Sequence, residues 1–281
     1  MIFDAFMDAL WDSVRTLPFL LAAFALMETL EKHQDKLIDH LFGRIGRRGP
    51  LIGALMGLVP QCGFSAAMSN LYAGGVITTG TLIAVFLSTS DEAVLIMMGD
   101  TSAAPKILPL LATKFVIAVV FGFLIDSLFR RPGEHEHIHD LCMDCGCHSQ
   151  KGILKPVLIH TGRLFAWLLV ISFILNIVME SIGSEQLARV LGEDSVLQPL
   201  ATALLGLIPN CAVSVMFTKL YMAGTISFAS AIAGLASGAG IGLIVLFQAD
   251  RSKRDAVTVT ALLYLCAALS GVLLWLTGIG V

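Results

Sequence analysis

The word Gly57-Leu58-Val59-Pro60-Gln61-Cys62 returns 149 positions later as Gly206-Leu207-Ile208-Pro209-Asn210-Cys211. At the same offset Ser65 answers Ser214, Leu71-Tyr72 answers Leu220-Tyr221, Ser88 answers Ser237 and Gly122 answers Gly271. Gly74 reaches Gly224 only with a slip of one position, and Met27-Glu28 aligns with Met179-Glu180 after a small length difference upstream. Short apolar words match by chance. A constant offset through several polar landmarks does not, so the chain has to fold as two similar halves.

What surrounds these words decides the solvent. The apolar residues form long runs rather than stripes, and only 14% of the chain is charged against 56% hydrophobic, with a mean hydropathy of +0.84. A soluble globular domain carries about a quarter charged residues, whereas long apolar runs suit a lipid surround. The runs predict segments at about 13–31, 50–76, 78–98 and 106–129, then at about 157–182, 197–223, 226–248 and 256–279; 50–76 and 197–223 are interrupted by proline. Leu37, Ile38, Leu41, Phe42 and Ile45 share one helical face, as Leu187, Val190 and Leu191 do more weakly, which predicts a helix lying in the membrane interface in each half. The N-terminus carries Asp4, Asp8 and Asp12 and no Lys or Arg before Arg15, so no cleaved secretory signal is expected. No basic cluster of the nucleic-acid-binding kind is present, and lipid is the expected surround.

Positive charge orients the path. Linker 32–49 carries five Lys or Arg, the central loop 130–156 four and linker 249–255 three, while 99–106 and 183–196 carry one each. With the basic loops in the cytoplasm, 50–76 and 197–223 must each return to the side they entered from. Each half then has three crossings plus a re-entrant hairpin, and an odd number of crossings inverts the second half. The expected fold is an all-α integral membrane protein of two inverted-topology repeats: 1–129, then a cytoplasmic His/Cys-rich loop at 130–156, then 157–281. Both termini are expected outside the cytoplasm of a multi-pass plasma (inner) membrane protein. A hairpin arm of about ten residues rising ~1.5 Å each reaches roughly the middle of the bilayer, so the tips at Pro60-Gln61-Cys62-Gly63 and Pro209-Asn210-Cys211-Ala212 are expected to meet there. Irregular backbone at that depth belongs in protein or a wet cavity, and broken elements in inverted repeats are how many transporters build a central site.

The residues that bear chemistry gather at these breaks. Gln61 and Asn210 supply amides at the tips, Cys62 and Cys211 soft sulfur, and each following half-helix points its free N–H groups at the centre. Ser88-Thr89-Ser90-Asp91-Glu92 puts two carboxylates inside an apolar segment, at an insertion cost of at least ~2.5–3.5 kcal/mol, which makes them a functional candidate by default. A buried ion pair with Lys114 or Lys219 is the alternative use for them. The repeat partner, Ser237-Gly238-Ala239-Gly240-Ile241-Gly242, has no carboxylate, but its glycines allow an unwound backbone whose carbonyls can ligate a cation. Oxygen ligands of this kind suit Mn or Mg, cysteines softer ions. Glu28 and Glu180, near the ends of equivalent helices, are candidates for proton coupling. His135, His137, His139, Cys142, Cys145, Cys147 and His148 crowd one polar loop, a composition suited to metal ligation rather than a disulfide framework.

The two Gly-Leu-x-Pro-amide-Cys words, the Ser-Thr-Ser-Asp-Glu and Ser-Gly-Ala-Gly-Ile-Gly stretches and the His/Cys-rich loop together resemble one family, the ten-segment heavy-metal exporters, also labelled arsenic efflux proteins or manganese transporters. The resemblance runs over almost the whole chain, and ten segments result when each hairpin arm is counted separately. It implies Gln61, Cys62, Ser88, Ser90, Asp91, Glu92, Asn210, Cys211 and Ser237 as substrate or ion ligands. The expected activity is that of a secondary transporter, not an enzyme, exporting a divalent cation such as manganese. The metal is cargo, and no cofactor is required. Arsenite efflux through Cys62 and Cys211 and an ion channel are the competing readings, and a homo-oligomer is compatible with either. No Gly-x-x-x-x-Gly-Lys motif is present for direct coupling to ATP.

Overall fold

The computed structural model describes residues 48–58, 62–89, 91–99, 103–128, 196–249 and 253–278, with isolated helical positions within 7–21 and 162–173. The helices expected at 13–31 and 157–182 fall almost wholly outside the described residues, and both interfacial pieces and the loop 130–156 fall outside them entirely. Among the described residues every regular element is helical. In chain order they are α1 (Gly49–Gly57), α2 (Cys62–Ala73), α3 (Thr79–Ser88), α4 (Asp91–Met98), α5 (Ala104–Leu128), α6 (Leu197–Gly206), α7 (Cys211–Met222), α8 (Phe228–Ser237), α9 (Ile241–Ala249) and α10 (Lys253–Leu276).

Local chemistry sets these boundaries in the same way in both halves. Pro50 sits in the first turn of α1 and Pro199 in that of α6, where proline's missing N–H costs nothing. Both helices stop before the next proline, Pro60 or Pro209, because a residue preceding proline is pushed out of the α region. Thr78 and Ser227 cap α3 and α8, each accepting from the backbone N–H three residues on at 3.2 Å. α2 ends when Val76 N–H donates to Leu71 O and Gly75 N–H to Tyr72 O, while α7 ends with Thr225 N–H on Leu220 O and Gly224 N–H on Tyr221 O. This is the paired closing bond of a Schellman end, and it needs a left-handed residue, here Gly75 and Gly224, each at φ 72°. Gly75, rather than Gly74, is therefore the structural counterpart of Gly224, and the slip seen in the sequence disappears.

The expected segment 78–98 is two helices, α3 and α4, and 226–248 is likewise α8 and α9. The second break was foreshadowed by its glycines. At the first, Thr89 turns the chain to φ −56°, ψ 129°, while its N–H and hydroxyl both donate to Val85 O. A short run of hydroxyl residues competes with the helix for its own carbonyls, and the helix restarts at Asp91.

Helices α1, α3 and α5 pack together, as do α6, α8 and α10. Glycines allow both contacts. A Cβ on Gly57 would collide with Ser88 Oγ and stand 2.7 Å from Val85 O, and one on Gly206 would collide with Gly234 O and Ser237 Oγ. A Cβ on Gly122 would stand 2.8 Å from Pro50 Cβ, and one on Gly271 2.8 Å from Pro199 Cβ. The remaining arms cross over: α2 packs on α9, and α7 packs on α4.

Side-chain bonds mark the two ends of the bundle. At one, Asp126 accepts from Gly80 N–H and Thr78 Oγ at 2.8 Å each, while Tyr72 donates to Asp255 at 2.6 Å and its hydroxyl lies 3.3 Å from Thr79 Oγ1. Gly49 also lies against Thr81 there. The chain thus enters α1 and leaves α2 at the same end, where α5 also finishes and α10 starts. At the other end Gln198 Oε1 accepts from Ser227 N–H, Ser227 Oγ and Ser230 Oγ, and Lys106 Nζ lies 5.1 Å from the Tyr221 ring centroid.

Three spans among the described residues are long and apolar enough to cross a membrane: Pro105–Leu128, Phe228–Ala249 and Lys253–Leu276. Phe228–Ala249 is mostly enclosed by protein. Pro105–Leu128 instead turns Leu108, Val116, Val120 and Leu124 outward, and Lys253–Leu276 does the same with Leu265, Leu269, Leu273 and Leu276. Outward apolar rows of this length are what lipid contact requires.

Candidate functional site

Helix ends meet in pairs in the interior: α1 with α3, α6 with α8, and the start of α9 with α2, while Lys114 joins the ends of α3 and α8. Gly57 lies against Ser88 and Gly206 against Ser237, so the end of α1 abuts the break after α3 and the end of α6 the break after α8. The second arms reach across. Ser69 Oγ donates to Gly242 O at 2.8 Å as well as to Ser65 O at 2.9 Å, and a Cβ on Gly242 would stand 2.9 Å from Ser65 Cβ. The other second arm, α7, packs across on α4 while Ser214 stays beside the break of its own half, its Oγ 3.5 Å from a Cβ placed on Gly238. Each second arm therefore presents a serine to the break or to a helix start beside it.

The backbone at these points is irregular in a defined way. Gly238, at φ −75° and ψ 75°, closes an inverse γ-turn in which Ala239 N–H donates to Ser237 O at 2.9 Å. Gly240 follows at φ 53°, a conformation that disfavours any side chain bearing Cβ. At the second tip Asn210 N–H donates to Ile208 O at 2.7 Å across Pro209, and Asn210 is buried.

Of the sequence-derived candidates, Ser88 and Ser237 are wholly buried at the C-termini of α3 and α8, each hydroxyl donating to the carbonyl three residues back at 3.0 Å. Cys62, Asp91 and Cys211 each open a helix, α2, α4 and α7, and Glu92 follows Asp91 in the first turn of α4. Gln61, Ser90, Glu28, Glu180 and the loop residues His135, His137, His139, Cys142, Cys145, Cys147 and His148 lie outside the described residues. Among the described residues no three His, Cys, Asp or Glu side chains stand together as a metal cluster.

The two lysines considered as ion-pair partners separate cleanly. Lys219 is exposed. Lys114, on α5, is completely buried, and its ammonium donates to Thr89 O, at the break after α3, and to Leu235 O at 2.8 Å, in the last turn of α8. One cation thus ties the two breaks together. The glycine-rich carbonyls expected to be open to a cation are also partly engaged: Ser237 O, Ala239 O and Gly240 O each accept a backbone N–H.

Sequence reasoning named Lys114 only as an ion-pair partner for the carboxylates, and it passed over Ser69 and Thr218. The signals were present. A lone lysine in the middle of a long apolar run is costly. Ser65 and Ser69 recur as Ser214 and Thr218, four residues apart in both halves, and Thr218 Oγ1 donates to Ser214 O at 2.7 Å just as Ser69 does to Ser65 O.

A family model described as "Putative, 10TM heavy-metal exporter" matches residues 1–185 and 173–278. No curated protein and no solved structure matches the chain.

Proposed function

Because the chain belongs to the 10TM heavy-metal exporter family, a family of membrane transporters rather than enzymes, we propose that it is a secondary transporter that exports a divalent cation, manganese foremost, through the crossing of the helix breaks. The observation that carries this reading is the exchange of second arms. α2 packs on α9 and α7 on α4, and Lys114 Nζ donates both to Thr89 O and to Leu235 O, which supports a site shared by the breaks of the two halves. Asp91 and Glu92 at the head of α4 supply charge for the cation, and Ser88, Ser90, Ser237, Gln61, Asn210 and backbone carbonyls supply further oxygen. Hard oxygen ligands of this kind select Mn over thiophilic ions.

The same reading makes α1–α2 and α6–α7 re-entrant hairpins of two inverted repeats, spanning 1–129 and 157–281, with their tips at mid-membrane. Three features support it: the constant 149-residue offset, the matching helix ends at Gly75 and Gly224, and the common end at which α1 starts and α2 finishes. The three basic segments adjoin that end, which makes it the cytoplasmic face of a plasma (inner) membrane protein under the positive-inside rule. The His/Cys-rich loop 130–156 then collects metal on the side from which it is exported, and Glu28 and Glu180 are candidates for proton coupling.

The test is uptake of manganese and of arsenite into inside-out vesicles, comparing wild type with Asp91→Asn/Glu92→Gln and with Cys62→Ser/Cys211→Ser. Manganese accumulation that is lost in the carboxylate variant and kept in the cysteine variant supports the reading. Arsenite movement that depends on the cysteines replaces it with metalloid efflux. Flux that ignores a proton gradient and saturates weakly replaces the carrier with a channel.

A further inference from the structure

We propose that Lys114 is a resident cation of the transport path: its ammonium holds the carbonyls of the two helix breaks, and cargo loads only when it withdraws. The inference rests on the cation reading above and deepens it by naming what occupies the path without cargo.

The chemistry begins with the cost of the residue. Burying an ammonium among apolar helices is expensive unless oxygen replaces its water. Lys114 has no exposed surface, and its ammonium donates to backbone oxygens at the breaks: Thr89 O just past the last turn of α3 and Leu235 O in the last turn of α8. Carbonyls at a helix C-terminus have lost their intrahelical N–H partners and carry the negative end of the dipole. They are the backbone groups best suited to a metal cation, and here a tethered one uses them.

The position is not one the packing demands. The residue 149 places on is Leu263, equally buried and apolar, in the corresponding long helix α10. A fold that seats leucine at one of these places has no general need for charge at the other. Lys114 is also close to the residues proposed to bind cargo. Thr89 stands between Ser88 and the Ser90-Asp91-Glu92 run. A Cβ on Gly238 would lie 3.6 Å from Leu235 O and 3.5 Å from Ser214 Oγ, so the second acceptor borders the incoming hairpin arm. An ammonium and a divalent cation cannot share that space, because like charges at such separations repel strongly in a low-dielectric interior. Occupancy by one excludes the other.

A lysine that must leave before cargo binds lowers apparent affinity by the fraction of molecules in which it has left. The test measures that reduction directly, by thermal stabilisation of purified full-length protein against graded Mn, Zn, Cd and Co, and by uphill manganese accumulation in vesicles. Lys114→Gln keeps a hydrogen-bond donor without the charge, and Lys114→Arg keeps the charge. If the lysine is withdrawn in about one molecule in ten, Lys114→Gln binds the preferred ion about tenfold tighter than wild type and releases it poorly, so accumulation falls, while Lys114→Arg binds no tighter than wild type. The ion-free melting temperature of each variant verifies folding. A folded Lys114→Gln that binds no tighter than wild type overturns the role of Lys114 and leaves the cation reading standing. A wild-type protein stabilised by no ion of the series overturns both.

Discussion

Replacing Gly57 by alanine puts a methyl group where the end of α1 touches α3. The new Cβ would overlap Ser88 Oγ and stand 2.7 Å from Val85 O, closer than real Cβ contacts come. Overpacking of this kind costs about 1–3 kcal/mol, and the better helix propensity of alanine returns somewhat under 1 kcal/mol. With a backbone oxygen among the clashing atoms the cost falls in the upper part of that range, so the net loss is about 1–2 kcal/mol, which for a chain of this size lowers the melting temperature by about 2–8 °C. The two halves differ in a way that sharpens the test. At Gly57 the nearest atom is a side-chain hydroxyl, which Ser88→Ala removes, whereas at Gly206 it is the backbone oxygen of Gly234, with Ser237 Oγ beside it. Backbone cannot be deleted. Ser88→Ala should therefore recover roughly half of the Gly57→Ala loss, and Ser237→Ala should recover little of the Gly206→Ala loss, the non-additivity reporting direct contact. Melting is followed by intrinsic fluorescence on detergent-purified protein. A Gly57→Ala protein as stable as wild type, or a complete recovery of Gly206→Ala by Ser237→Ala, would refute this packing.

Two further outcomes are expected. Gln198→Leu leaves Ser227 N–H and the Ser227 and Ser230 hydroxyls without their shared acceptor and lowers stability by about 1–3 kcal/mol; Gln198→Glu, which puts a carboxylate there as Asp126 does for α3, keeps or raises the melting temperature. Gly224→Ala meets no atom within 4 Å but must hold φ 72°, so its cost is backbone strain of about 1–2 kcal/mol, and Gly224→Asn, which tolerates that region, melts above Gly224→Ala.

The sequence by itself determined the apolar surround, the helical class and where the proline-bounded helices start and stop, because these depend on local or periodic properties, whereas the division of 78–98 and of 226–248 into two helices each came from the structure. Apolar runs choose lipid, Pro50 and Pro199 start helices, and Pro60 and Pro209 end them. It also named most of the residues at the breaks, since hydroxyls, carboxylates and glycines stand out in an apolar run. What it left undecided was pairing. Helical sequence fixes which side chains share a face but not which helix lies opposite, so the seating of α2 on α9 and of α7 on α4 was not legible. For the same reason Thr89 O and Leu235 O could not be found beforehand: a backbone carbonyl has no letter in the sequence. Sequence alone does not say which of the adjacent Gly74 and Gly75 answers Gly224; the positive φ at Gly75 does. Only the tertiary structure brought a lysine, a threonine carbonyl and a leucine carbonyl from α5, the α3 break and α8 to one point. A buried ammonium is stable only where distant parts of the chain jointly replace its water, and that condition belongs to the packed molecule.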